Sequence, residues 1–360
     1  MRDYDIAVFE GDGIGPEIMA SAIAAIDILE GRFGFVLKRR HWRGGAAYYR
    51  EHGVDLEPGA FEAARAADAI LFASMGLPDV RFPDGTEIAP HLNMRAEFGL
   101  FAGVRPVRKF PNTPQMLADS RAETLDFVVL RESTEGLFAS RGKGTLQDDA
   151  VATDTMVITR ATCEKLFDFA LDLARRRKDK GRSAGRVTCV DKSNVFVSMA
   201  FFRKVFEERA RAAGDLATDC AYVDAAALDL VRKPWTFDVM VMENMFGDIL
   251  SDLGGGLVGG MGMAPCGEIG LEHALFQPAH GTAPDIAGQD KANPTAMLLS
   301  MAMMLDWLGA RHGDERLVAA GEAVEAAVWA AYEDKALQPM EFGGTTGLRD
   351  ATRAVLDRLQ

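Results

Sequence analysis

Short apolar runs, four of them followed closely by a polar cluster, constrain the fold of this chain more than any other feature of its sequence. The runs are 5–9, 69–73, 127–130, 187–190 and 239–242, and helix-like segments such as 18–29 lie between them. Strands that alternate with helices are typical of α/β proteins, whose ligands bind beyond the carboxyl ends of the strands. We therefore predict that the polar clusters form one shared site. These clusters are 11–17, 131–135, 191–194 and 243–252.

Length and charge narrow the class of protein. A chain of 360 residues, of which 48% are hydrophobic, can bury the cores of two domains or of one large α/β unit. Its formal net charge of −13 would repel a polyphosphate, so we expect no nucleic-acid partner. An anionic small substrate would need a local basic pocket.

Cysteine usage and hydropathy indicate a cytoplasmic protein. The four cysteines form no CxxC pair and lack the sequence spacing of a zinc site, so we expect reduced thiols. The sequence has neither a signal-peptide pattern nor an apolar stretch of membrane-spanning length, so we expect no membrane contact.

Asp248 and Asp252 are four residues apart, which on a helix places both carboxylates on one face. Two like charges so close are unfavourable unless a cation lies between them, and oxygen ligands favour Mg²⁺ or Mn²⁺. Asp224 could supply a third ligand. The alternative is that Asp248 is a helix N-cap and that Asp252 is solvated.

Four cationic side chains near apolar runs are candidates for substrate chemistry. Arg105 and Arg131 each follow such a run, and Arg95 lies shortly before one. A guanidinium group presents a planar fork that suits a carboxylate, although salt bridges with nearby glutamates are an alternative. Lys192 follows a buried strand, where partial desolvation would suit proton transfer. A lysine whose ammonium group reaches solvent is the alternative.

The loop 280–285 is rich in small residues, which would let its backbone approach an adenosine closely. Asp285 could accept hydrogen bonds from ribose hydroxyls and would repel a 2′-phosphate. The GxGxxG fingerprint followed by a distant acid is missing, so a Rossmann fold is not indicated.

Seven motifs in order carry a resemblance that spans nearly the whole chain. They are GDGIGPE at 11–17, VRPV at 104–107, RESTEG at 131–136, DKSN at 191–194, NMFGDILSD at 244–252, HGTAPDIAG at 280–288 and ANPT at 292–295. Together they resemble the β-decarboxylating dehydrogenases. That family includes isopropylmalate, isocitrate, homoisocitrate, and tartrate or D-malate dehydrogenases.

The resemblance implies an isopropylmalate-dehydrogenase-like α/β fold of two domains with a large mixed sheet. Residues 1–102 and 256–360 would form the cofactor-binding domain. Residues 103–255 would form the domain for dimerisation, metal and substrate. The resemblance also implies a homodimer with its active sites at the interface.

The implied reaction is the NAD-dependent oxidation of a 3-substituted D-malate-type acid at C2, followed by loss of its β-carboxylate as CO₂. Lys192 and Asp224 would be catalytic and would enter from the partner subunit. Asp224, Asp248 and Asp252 would hold Mg²⁺ or Mn²⁺. The residues that would bind the substrate are His91, Arg95, Arg105 and Arg131.

Cofactor binding is implied for a larger set, which includes the loop 280–285. Its members are Ile14, Asn194, Glu268, His280, Gly281, Thr282, Ala283, Pro284, Asp285 and Asn293. NAD is expected rather than NADP because Asp285 and Ile286 stand where NADP-dependent relatives carry a lysine and a tyrosine.

One departure from the family concerns Phe138, which stands where the family has a tyrosine credited with protonating the enol. Phenylalanine cannot donate a proton, so we expect that water or Tyr222 serves instead, or that late steps are slow. The departure also keeps an alternative open, a non-catalytic regulatory subunit of a hetero-oligomeric isocitrate dehydrogenase. The retained charged set, from Arg95 to Asp252, argues against it.

A second departure concerns the segment 88–94, which precedes Arg95. It has neither the pair of leucines of isopropylmalate enzymes nor the serine and asparagine of isocitrate enzymes. His91 could face a polar C3 substituent or cap a turn. Isopropylmalate, isocitrate, homoisocitrate, tartrate and D-malate therefore all remain candidate substrates.

Overall fold

A computed structural model describes residues 2–360 as strands and helices that alternate along the chain. The strands are β1 (Tyr4–Phe9), β2 (Leu37–Trp42), β3 (Ala69–Phe72), β4 (Ala102–Arg108), β5 (Asp126–Glu132), β6 (Thr145–Gln147), β7 (Val151–Thr153), β8 (Arg186–Asp191), β9 (Ala217–Tyr222), β10 (Val239–Met242), β11 (Pro265–Ile269) and β12 (Ala274–Pro278). The helices are α1 (Gly15–Phe33), α2 (Ala46–His52), α3 (Ala60–Ala66), α4 (Pro90–Glu97), α5 (Arg160–Asp179), α6 (Val197–Ala213), α7 (Val223–Arg232), α8 (Asn244–Leu257), α9 (Thr295–His312), α10 (Glu315–Glu333) and α11 (Leu348–Leu359).

The chain divides into two compact units. The first comprises the described residues up to Phe98, together with Phe110–Pro114 and Gly259–Gln360, and the second comprises Gly99–Lys109 and Gln115–Val258. The roles assigned above to the two domains stay predictions.

In the first unit, five strands lie in the order β2-β1-β3-β12-β11. The contacts of β1 with β2 and β3, and of β3 with β12, are parallel, whereas β11 runs antiparallel to β12. Helix α9 packs on β11, β12 and α10 and is apolar on nearly all sides. A helix with that pattern belongs in a core, and α9 is the centre of this one.

Five of the strands of the second unit lie in the order β4-β5-β10-β8-β9, and β6 and β7 pair separately. Here β5, β10, β8 and β9 are parallel, and β4 runs antiparallel to β5. Phe167 of α5 packs edge-on against Phe202 and Phe206 of α6, with ring centroids 4.7 and 5.3 Å apart. Because the parallel strands end on one side, the segments after β5, β8, β9 and β10 are brought to the same edge.

Local signals in the sequence explain several element boundaries. Pro16 lies in the first turn of α1, where its missing N–H costs nothing, and Gly34 ends that helix with φ 70°. The polar segment 140–155 contains the exposed antiparallel pair β6–β7. None of the helices within residues 2–360 has the length and apolar character that crossing a membrane requires.

Candidate active site

Hydrogen bonds and close packing hold the 11–17 and 280–285 loops of the first unit together. The amide of Ile14 donates to the carbonyl of Thr282 at 2.9 Å, and the Thr282 hydroxyl donates to the carbonyl of Gly76 at 2.7 Å. Gly13 has φ +58°, and a Cβ there would lie 2.0 Å from the Thr282 oxygen. Glycine is therefore required at position 13 for the 11–17 loop to pack against the 280–285 loop.

A cavity of about 400 Å³ lies beside these loops and within the first unit. Its lining residues are Ile14, Met261, Gly262, His280, Gly281, Ala283, Ile286, Lys291, Ala292, Asn293, Met340 and Glu341. Five of the predicted cofactor residues are among them. Thr282, Pro284 and Asp285 belong to the same loop, Glu268 does not line the cavity, and Asn194 lies in the second unit.

The contacts of His280, which lines this cavity, define the tautomer of its imidazole ring. Its Nδ1 lies 2.8 Å from the carbonyl oxygen of Gly281, which can only accept, so Nδ1 carries the proton. Burial lowers the pKa of His280 and favours the neutral ring. Nε2 is buried without a hydrogen-bond partner among the described residues. It is therefore an acceptor available to a ligand that offers an N–H or O–H group.

Glu341 is a site residue that the sequence motifs did not reveal. Its Oε2 accepts from Asn293 Nδ2 at 3.1 Å, and its Oε1 accepts from the amide of Gly262 at 3.0 Å. Asn293 Oδ1 in turn accepts from the amide of Thr295 at 3.1 Å. Glu341 thus orients the Asn293 amide and adds a negative charge to the cavity.

Arg95 lies in α4 of the first unit and is buried against an acid. Its Nη2 is 2.9 Å from Oε1 of Glu268, which is fully buried on β11, so the partner is not the nearby Glu97. The Nε of Arg95 has no hydrogen-bond partner within residues 2–360. One turn earlier, the His91 ring packs edge-on against Phe72, with centroids 5.5 Å apart. The substrate-binding roles of His91 and Arg95 stay predictions.

Arg131, at the carboxyl end of β5, is a buried cation held by several partners of the second unit. Its Nε and Nη2 donate to Asn244 Oδ1 at 2.9 and 2.7 Å, and its Nη1 pairs with Asp248. A Cβ on Gly247 would lie 2.6 Å from the Arg131 side chain, so glycine there lets the arginine pass against α8. The ring of Phe138 lies under the guanidinium, 5.0 Å away. The acid that pairs with Arg131 is thus Asp248 rather than a glutamate of the loop after β5.

The two carboxylates of α8 share one exposed face of the helix. Glu243, not Asp248, caps α8 by accepting from the amides of Met245 and Phe246, so the N-cap alternative for Asp248 is wrong. Burial and the charge of Asp248 raise the pKa of Asp252, and Arg105 and Arg131 act in the opposite direction. This acidic pair therefore lies close to two arginines.

Lys192 and Asp224 form an ion pair beyond the ends of β8 and β9. Lys192 Nζ lies 2.5 Å from Asp224 Oδ1 and 5.9 Å from the centre of the Tyr222 ring. The hydrogen bond from Lys192 lowers the pKa of Asp224. Asn194 follows in the exposed turn after β8.

Within one chain the three predicted metal ligands do not meet. Among the described residues, no group of three ligand atoms within 4.8 Å of one another includes Asp224, Asp248 and Asp252. The second unit therefore carries two separate groups of charged residues, which are called half-sites below: one is Lys192 with Asp224, and the other is Asp248 and Asp252 with Arg105 and Arg131.

Comparison with known proteins identifies the family. A family model described as isocitrate/isopropylmalate dehydrogenase matches residues 5–353. The chain belongs to this family. The predicted family and the predicted activity class, an oxidative decarboxylating dehydrogenase, are thereby confirmed.

Members of the isocitrate/isopropylmalate dehydrogenase family with curated names match over most of the chain. A 3-isopropylmalate/3-methylmalate dehydrogenase of Methanocaldococcus jannaschii is 38% identical over 89% of this chain and 91% of its own. A 3-isopropylmalate dehydrogenase of Bacillus cereus is 39% identical over 99% of this chain and 96% of its own.

Solved structures of the family confirm the predicted fold class. An isocitrate dehydrogenase from Methylococcus capsulatus matches with a TM-score of 0.86 at 30% identity, over 99% of both chains. A β-decarboxylating dehydrogenase from Thermococcus kodakarensis, in its apo form, matches with a TM-score of 0.79 at 32% identity, over 99% of this chain and 96% of its own.

Proposed function

We propose that this family member catalyses the NAD-dependent, divalent-metal-dependent oxidative decarboxylation of a 3-substituted malate of the isopropylmalate type. The names of its curated relatives, which include 3-isopropylmalate and 3-methylmalate, support a malate with an alkyl group at C3. Isocitrate, homoisocitrate, tartrate and D-malate stay in the test set because the segment 88–94 follows neither known pattern.

The observation that carries the proposal is the contact of the Arg131 guanidinium with Asp248. This contact places a planar cation, which suits a substrate carboxylate, against two acidic residues spaced one helical turn apart on α8. Asp248 and Asp252 offer only oxygen ligands on an exposed face, a donor set that fits Mg²⁺ or Mn²⁺. Asp224 would complete that set.

The cavity of the first unit would hold the adenosine of NAD. Small residues line it, and His280 Nε2 is an unpaired acceptor. Glu341 lines the cavity and Asp285 lies in the loop beside it, so two negative charges would oppose the 2′-phosphate of NADP. These features support NAD as the cofactor.

The chain's own residues would act through binding and proton transfer. Arg105 and Arg131 would hold the substrate carboxylates, with Arg95 as a further candidate. Lys192 Nζ, held by Asp224, is the group through which the C2 hydroxyl proton would leave. A divalent ion held by Asp224, Asp248 and Asp252 would supply Lewis-acid stabilisation of negative charge on oxygen, and NAD bound at the cavity of the first unit would supply a hydride acceptor.

The two half-sites support a homodimer. Lys192 and Asp224 would reach the acidic pair and the arginines of the other subunit, so each active site would contain residues of both chains. Exposed apolar side chains of the second unit, such as Val197, Leu228 and Ile249, would be covered in that assembly.

The test is a substrate panel with the purified chain, NAD and Mn²⁺, with NADP in parallel. We expect NADH formation and CO₂ release with a 3-alkylmalate, loss of both in Arg131→Ala, and full activity in Arg353→Ala. Arg353 is a suitable control because it forms only an exposed ion pair with Asp350. No turnover of any acid would refute the proposal and favour the regulatory-subunit alternative that Phe138 raises.

A further inference from the structure

A pair of thiols faces each other across two neighbouring strands of the second unit. The parallel register of β8 and β9 places Cys189 directly opposite Cys220. Asp191 lies two residues after Cys189, hence on the same face of β8. One ligand atom of each of the three residues lies within 4.8 Å of the others. Neither cysteine is in a disulfide.

The surroundings of the pair combine burial with an entry path. Cys189 and Asp191 are fully buried, whereas Cys220 is partly exposed on β9, the last strand in its sheet order. A hydrogen bond from Cys189 and the nearby charge of Arg203 lower the pKa of Cys220. Burial raises the pKa of Cys189, so an ion would approach from the Cys220 side and would have to displace the Cys189 proton on binding.

Asp191 is already held in place. Arg203 Nε donates to its Oδ2 at 2.7 Å, Arg203 Nη2 donates to its Oδ1 at 3.0 Å, and the amide of Ser193 donates to Oδ1 at 2.7 Å. The carboxylate thus keeps a fixed orientation, and a lone pair on Oδ2 stays available.

We propose that Cys189, Cys220 and Asp191 form a binding site for one thiophilic divalent ion of the Zn²⁺ class. Binding forms two metal–sulfur bonds and one metal–oxygen bond, and the two S–H protons pass to the solvent. Two thiolates, one carboxylate, the Arg203 guanidinium and the dication then have no net charge. Zn–S bonds of about 2.3 Å place two sulfurs about 3.8 Å apart, within the observed spread.

This site is distinct in chemistry from the proposed Mg²⁺ or Mn²⁺ site. Thiolates select soft ions, whereas carboxylates select hard ones, so the two ions would not exchange places at equal concentration. The soft ion would join β8 and β9 just before Lys192 and Asp224. Its presence would therefore fix the spacing of the strand ends that carry the ion pair.

The test is a titration of the full chain, with reduced thiols and excess Mg²⁺, by Cd²⁺ as a spectroscopic substitute for Zn²⁺. The readout is the ultraviolet charge-transfer band of a cadmium thiolate, which carboxylate ligands do not produce. We expect one ion per chain. Because changing even an outer-shell partner weakens metal binding by about 10- to 100-fold, we expect Cys189→Ser and Cys220→Ser each to weaken it at least about 100-fold.

Cys163→Ser is the matched control, since Cys163 is a buried cysteine of α5 outside the cluster. Its titration should equal that of the wild type, and thermal melting should show that all three variants are folded. A wild type without the band, or a band that persists in both Cys189→Ser and Cys220→Ser, would overturn the proposal. If a variant fails to fold, the wild-type band and its stoichiometry decide the question alone.

Discussion

Asn244→Ala tests whether the orientation of Arg131 controls substrate binding. Asn244 is buried, its Oδ1 accepts both Arg131 Nε and Nη2, and its Nδ2 donates to the carbonyl of Glu135 at 3.0 Å. A hydrogen bond to a charged group contributes about 1.5–3 kcal/mol. If Arg131 loses that amount of its interaction with the substrate, kcat/KM falls about 10- to 100-fold, because each 1.4 kcal/mol is tenfold.

The assay is the steady-state rate of NADH formation at varied substrate, with the free energy of unfolding measured in urea. We expect the change mainly in KM, because Arg131 would bind the substrate before the reaction. Asn112→Ala is the control: Asn112 Nδ2 donates to the backbone carbonyls of Tyr332 and Glu333, and not to Arg131. It should lower stability and leave KM unchanged. Equal KM values in Asn244→Ala and the wild type would refute the reasoning.

Three further predictions concern stability and late steps. Burial raises the pKa of Glu132 to about 7, against hydrogen bonds from Thr134 and Glu135, so the folded chain holds this proton more tightly than the unfolded one. The contribution of Glu132 to the free energy of unfolding of the chain therefore falls by about 2–3 kcal/mol as pH rises from about 5 to 7. Urea unfolding of Glu132→Gln should lack that change, and a pH-independent difference from the wild type would contradict it. Gly247→Ala should displace Arg131, because the added Cβ would lie 2.6 Å from the Arg131 side chain. The displacement should lower both kcat/KM and the free energy of unfolding. Wild-type values of both quantities would be inconsistent with that contact. Phe138→Tyr should speed enol protonation relative to CO₂ release. No change in either step would argue against the idea that the absence of a tyrosine at position 138 limits the rate of enol protonation.

The sequence was informative about the position of polar side chains that come directly after a strand. Arg131, Lys192 and the acidic pair 248/252 could be placed at strand ends or on one helix face because the apolar runs mark the strands and i, i+4 spacing marks the face. Local composition also marked the polar cluster 11–17 and the small-residue loop 280–285 of the first unit.

Contacts that depend on sheet topology could not be predicted in the same way. Asn244 meets Arg131, 113 residues earlier, only because β5 and β10 are neighbours. Cys189 and Cys220 become partners only through the β8–β9 register, which the spacing of cysteines does not reveal. Glu341 reaches the cavity from a segment that has no motif. Each depends on which strands or loops are adjacent, and a single sequence does not encode that locally.

The shared active site can be tested most directly with two inactive variants mixed as subunits. Lys192→Ala removes the first half-site, and Asp252→Asn removes a ligand of the second. If each site combines half-sites from two chains, unfolding and refolding an equimolar mixture should restore about a quarter of wild-type activity, because half of the dimers are hybrids with one intact site. A mixture as inactive as either variant alone, with hybrid dimers verified by native mass spectrometry, would show that each chain forms its site by itself.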